Sequence, residues 1–123
     1  MFLKLNHQKL DVYHTSKKFV FECYKLTQSL PAEEKFGMIS QIRRAALSVH
    51  LNIAEGSSRK SETERKRYYE IARGSIIEID AALDIANDLG FLKNIKFETL
   101  EASMVTSFKL LSGLIKSRQE KTS

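Results

Sequence analysis

Cysteine and proline each occur once in this chain of 123 residues, and each scarcity excludes something. A lone thiol, Cys23, forms neither an internal disulfide nor a Cys-x-x-Cys zinc site. Set among apolar neighbours, it reads as a reduced core residue. At this length a single domain, residues 1–123, builds its core without a covalent or metal staple. Glycine-rich phosphate loops, a Gly-x-Ser-x-Gly elbow and His-Glu-x-x-His are all missing. Asp11-x-x-His14 approaches the Glu-x-x-His pattern of di-metal bundles, but only once, and His7 and His50 lack acidic partners at ligand spacing. The expectation is therefore a non-enzyme with no metal, no cofactor and no small-molecule substrate. Apolar runs are far too short to cross a bilayer. Polar residues interrupt Met-Phe-Leu-Lys-Leu-Asn-His before a signal core can form, so a cytoplasmic location is expected. Period-two alternation and Asn-Gly turns are also absent, which leaves β structure without a signal.

What the chain does contain is helical periodicity. Val12, Phe19, Val20, Cys23, Leu26 and Leu30 form one stripe over residues 11–30, which Pro31 ends. A second stripe, from Phe36 and Ile39 through Ile42, Ala46 and Val49 to Ile53, predicts a helix over 33–55, with Gly56 as its left-handed cap. Ser61 and Glu64 have capping-box spacing and open a third helix, 62–89, with Tyr68, Ile71, Ala72, Ile76, Ile79, Leu83 and Ala86 inward. Gly90 follows its end. Leu100, Met104, Phe108, Leu111 and Ile115 mark a fourth over 97–116, and 118–123 reads as a polar tail. Four amphipathic helices with short connections predict an all-α, antiparallel, up-and-down four-helix bundle.

The formal charge is +5, and its placement matters more than its size. The third helix begins with Arg59, Lys60, Arg65, Lys66 and Arg67 and carries Glu78, Asp80, Asp84 and Asp88 towards its end, the reverse of what the helix macrodipole favours. In an up-and-down bundle Lys116 and Arg118 join the basic end, while Glu33, Glu34, Glu98 and Glu101 join the acidic one. A basic end of this kind suits nucleic-acid phosphate, with RNA ahead of DNA, and Tyr68 or Tyr69 beside it could stack on bases. It equally suits an acidic protein partner, the acidic surface of another copy, or plain solvation. A second set, Arg43, Arg44, Asn52, Glu55, Arg73 and Glu78, reads as a structural polar network between the second and third helices. Antiparallel pairing brings Arg44 level with Arg73 and Arg43 within about a turn of Glu78. Gly74 in a helix interior costs about 1 kcal/mol relative to alanine, which suggests close approach by a neighbouring helix or subunit.

Several of these residues occur together elsewhere. Leu26-Thr27 with Pro31, Glu34 and Phe36, then Gln41-Ile42-Arg43-Arg44-Ala45-Ala46, Asn52-Ile53-Ala54-Glu55-Gly56 and Ala72-Arg73-Gly74-Ser75 with Glu78, resemble the four-helix-bundle proteins encoded by intervening sequences of bacterial 23S ribosomal RNA genes. The resemblance runs from Val12 to Leu92. It departs at Tyr13, where the family often has tryptophan, and at His50, where proline is common. The resemblance implies a homopentameric ring of bundles, related to the accessory variability protein of diversity-generating retroelements, a protein that binds nucleic acid through a basic surface and associates with a reverse transcriptase.

Overall fold

The computed structural model describes residues 2–5, 8 and 10–122, excepting the side chains of 118–122. It contains α1 (Asp11–Thr27), a 3₁₀ turn (Ala32–Glu34), α2 (Met38–Ser58), α3 (Glu62–Asp88) and α4 (Glu98–Thr122), with no strand among the described residues. The molecule is all-α, as the periodicity predicts, but several boundaries move. After Thr27 the chain tightens into i→i−3 bonds, Ser29 N–H to Leu26 O and Leu30 N–H to Thr27 O, because the residue before proline is pushed out of helical geometry. Leu30 stays in the core all the same.

Pro31, extended at φ −56° and ψ 139°, starts the 3₁₀ turn, and Gly37 then breaks the path before α2. The second helix therefore begins at Met38 instead of 33, and Phe36, expected inward, is 90% exposed. At its other end α2 runs through Gly56 to Ser58. Gly56 is not left-handed; among the described residues only Gly90 has a positive φ, +83°. There the end of α3 forms a Schellman motif, with Phe91 N–H to Ala86 O and Gly90 N–H to Asn87 O. The stretch read as a polar tail continues α4, since its Arg, Gln, Glu and Lys are good helix formers.

Each helix packs closely on two neighbours, α1 on α2 and α4, and α3 on α2 and α4. Cross-helix bonds show the antiparallel order. Ser16 Oγ meets His50 Nδ1 at 2.8 Å and Arg43 Nε donates to Thr27 Oγ1 at 2.8 Å, so α2 descends beside α1. Ser57–Tyr69, Ser48–Ser75 and Gln41–Glu78 give the same sense for α2 and α3. Arg73 Nη1 donates to Ser112 Oγ at 3.2 Å between α3 and α4.

The core between them holds Phe19 and Cys23 of α1, Ile42, Val49 and Ile53 of α2, Tyr69, Ile76 and Ile79 of α3, and Leu111 of α4. Burial, with Glu22 nearby, pushes the Cys23 thiol up to about 12. Ile71 falls on the flank of α3 and is exposed, because Tyr69, Ala72 and Ile76 occupy the inward positions. Among the described residues no helix is long and apolar enough to cross a membrane.

Candidate nucleic-acid interface

The basic cluster sits on the turn from α2 into α3, and the two helices meet there at unusually short range. A methyl group at Gly56 would lie 2.9 Å from Tyr68 Cβ and 3.1 Å from the Tyr69 ring, so only glycine admits this approach. Tyr69 is core, 1% exposed, and its hydroxyl shares a 2.8 Å hydrogen bond with Ser57 Oγ. Ser61 caps α3 by accepting from Glu64 N–H at 3.2 Å. The turn is thus fixed by packing and by a cap before any charge is considered.

The five basic side chains on it divide into two groups. Arg59 is tethered: its Nη2 donates to Glu55 Oε2 at 3.1 Å and to the Tyr68 hydroxyl at 2.9 Å, and its guanidinium lies 4.9 Å from the Tyr68 ring centroid. Arg65 Nε donates to the Arg59 carbonyl, tying the turn to the first turns of α3, and its Nη1 lies 3.7 Å from Glu62. Lys66 Nζ is 3.9 Å from Glu70. These are surface pairs at helical spacing and fix side-chain direction more than stability. Lys60 and Arg67 are exposed and have no ion pair among the described residues.

Lys116 is exposed on α4. Because Ser112 lies beside Arg73 and the helices are antiparallel, Lys116 sits about one turn closer to the same basic end. The Arg118 side chain lies outside the described residues. Arg59 through Arg67 contribute five basic residues against two acidic ones, Glu62 and Glu64, at the helix end where the macrodipole is positive. At the far end a groove of about 280 Å³ between α3 and α4 is lined by Asp80, Asp84 and Glu101.

The second predicted set is distributed more widely than one interface. Arg43 turns to α1, bonded to Thr27 and lying 4.9 Å from the Tyr24 ring centroid, and the bond to Glu78 comes from Gln41, at 3.5 Å. Arg44 is exposed and donates to Gln41 Oε1, whereas Arg73 faces α4, toward Ser112 and Phe108, on the other flank of α3. Asn52 bonds back to Ser48, and Ser48 to Ser75. Glu55 belongs to the basic turn through Arg59.

Sequence reasoning missed this last link and the covering of Tyr68 by Arg59. The i,i+4 spacing of Glu55 and Arg59 was its only signal. Among the described residues no group of three or more His, Cys, Asp or Glu is placed to hold a metal. No curated protein matches the chain. Residues 8–113 match the family model described as 23S rRNA-intervening sequence protein.

Proposed function

We infer the function from one premise: the chain belongs to the 23S rRNA-intervening sequence protein family. On that premise the protein is a non-catalytic, cytoplasmic binder of nucleic-acid phosphate, RNA ahead of DNA, working as a homo-oligomer, a pentamer by family resemblance. The observation that carries the reading is the concentration of Arg59, Lys60, Arg65, Lys66 and Arg67 on one rigid turn, with Lys116 at the same end. Lys60, Arg67 and Lys116 are the side chains free to reach phosphate. Arg59, Arg65 and Lys66 shape the surface and add field, and Arg118 extends the same end. Acidic residues at the opposite end repel a polyanion there, so approach is oriented. Contacts of this kind position a backbone without reading sequence and weaken steeply with salt.

The test reverses Arg65, Lys66 and Arg67 to glutamate. Retention on an RNA column at low salt should be lost while helicity is unchanged; undiminished retention would remove the cluster from the interface. A second reading, a scaffold docking an acidic protein, draws support from the ion pairs Arg59, Arg65 and Lys66 already make with carboxylates. Protein purified from cells should carry nucleic-acid absorbance that high salt strips off under the first reading, and none under the second.

A further inference from the structure

The tyrosines at the basic end are all engaged within the bundle. Tyr69 is core at 1% exposure, Tyr68 accepts from Arg59 through its hydroxyl, and Tyr13 lies against His50 and His14, ring centroids 4.5 and 5.5 Å apart. None of them presents an open face to a ligand. Ser16 meets His50 across α1 and α2, which sets Leu10, at the start of α1, level with Gly56. The arm that precedes Leu10, described at residues 2–5 and 8, therefore leaves the bundle at the same end as the basic turn, and it carries a phenyl ring, Phe2, that is 91% exposed.

Gln8 folds this arm back on itself. Its Nε2 donates to Leu3 O at 2.8 Å, its backbone N–H donates to Leu5 O at 3.2 Å, and its Oε1 accepts from Leu5 N–H at 3.4 Å. Leu10, at the root, packs against the core. With those backbone groups bonded inside the arm, what it offers outward is side chains: Phe2, Leu3 and Leu5, with Lys4 exposed among them. The free charge at this end is positive on balance. Lys4, Lys60, Arg67 and Lys116 have no ion pair among the described residues, against Asp11 and Glu64, whereas Glu55, Glu62 and Glu70 are each paired with a basic side chain.

We propose that Phe2 is a stacking platform for a nucleobase, so that the strand bound at the basic end is single-stranded RNA. The inference rests on the phosphate reading of the basic turn and adds what the strand must be. In a duplex each base face is covered by its neighbours, and a phenyl ring gains contact only after a step is unstacked; in a single strand the bases offer their faces directly. Lys4 follows Phe2 by two residues, which sets a cation for phosphate close in the chain to the ring that takes the base. Stacking tolerates any base, so the arm selects strandedness and not sequence. An anionic lipid surface also attracts an apolar arm among cations, and the test has to separate the two.

The chain has no tryptophan, so Phe2→Trp sets a single indole fluorophore at the site and keeps an aromatic ring there. With the full chain at low salt, a mixed-sequence single-stranded RNA should quench its emission, and the same sequence in a duplex should leave it unchanged. Phe2→Ala, at an exposed position outside the helices, should bind single-stranded RNA roughly tenfold more weakly than the wild type, with duplex affinity and helicity unchanged. Unquenched emission while single-stranded RNA is bound, or a Phe2→Ala variant that holds single strands as well as the wild type, would overturn the stacking and leave the phosphate reading standing. Binding of neither form of RNA would remove the phosphate reading and the stacking with it. A blue shift on vesicles of phosphatidylserine and phosphatidylcholine, with no response to RNA, would overturn the proposal and give the arm to a lipid surface.

Discussion

Replacing Gly56 and Gly113 by alanine, one at a time, isolates the close approach of α2 and α3. Both glycines lie inside helices, so each alanine gains the same propensity, about 1 kcal/mol. At Gly113 nothing lies within 4 Å of the new methyl, and that gain should appear whole. At Gly56 the methyl meets Tyr68 Cβ at 2.9 Å, an atom fixed to the α3 backbone that no rotamer change can move, and Tyr69 ring carbons at 3.1 and 3.2 Å. Overpacking of this kind costs about 1–3 kcal/mol. Subtracting one variant from the other cancels the propensity and leaves the crowding, so Gly56→Ala should be less stable than Gly113→Ala by about 1–3 kcal/mol. Urea denaturation followed by far-UV circular dichroism, at one protein concentration, reads the difference. In a chain of this size it corresponds to several degrees in melting temperature. Equal stabilisation by both alanines would refute the reasoning, because it would mean that α2 and α3 have room to spare at Gly56.

Two further outcomes follow from the geometry. Lys60→Ala should weaken RNA retention and flatten its dependence on salt by about 0.7 in log–log slope for a single strand, with little change in unfolding. Arg59→Ala should do the opposite, losing roughly 1 kcal/mol of stability with the Glu55 and Tyr68 contacts and affecting retention less. Salt titrations of binding beside denaturation curves check the pair. The Cys23 thiol, pushed up from 9.0 to about 12 in the folded chain, holds its proton where the unfolded chain has released it. Stability should therefore fall between pH 9.0 and about 12 more steeply in the wild type than in Cys23→Ala. Below pH 9.0 the two should run parallel, and parallel curves throughout would count against a buried thiol.

Core positions such as Phe19, Cys23, Ile42 and Ile53 were legible because helical period is a local property of the chain. Phe36 was not, since its outward position follows from the 3₁₀ turn after Pro31 and the break at Gly37, which the apolar spacing does not encode. Gly56 shows a different limit. A glycine near a helix end serves either a left-handed cap or a close approach, and only the position of Tyr68 on another helix decides between them. At the candidate interface the clustering of basic residues could be read directly, and so could the serine cap. The tethering of Arg59 to Tyr68 could not, because it depends on where Tyr68 is carried, nor could the bond from Arg43 to Thr27 of α1.

The most extensive packing in the molecule joins α2 to α3, two helices consecutive in the chain, whereas α4 reaches α1 only after the whole bundle has come round. Local contacts form early and close little chain entropy, so the α2–α3 hairpin is the natural nucleus and the α1–α4 seam forms last. In the folded state the order reverses: amides of α4 should exchange through partial opening, while those around Gly56 and Tyr69 should wait for global unfolding. The basic turn is therefore carried by the segment of the molecule that comes apart last, and a partner that strips α4 from the bundle would still find that turn in place.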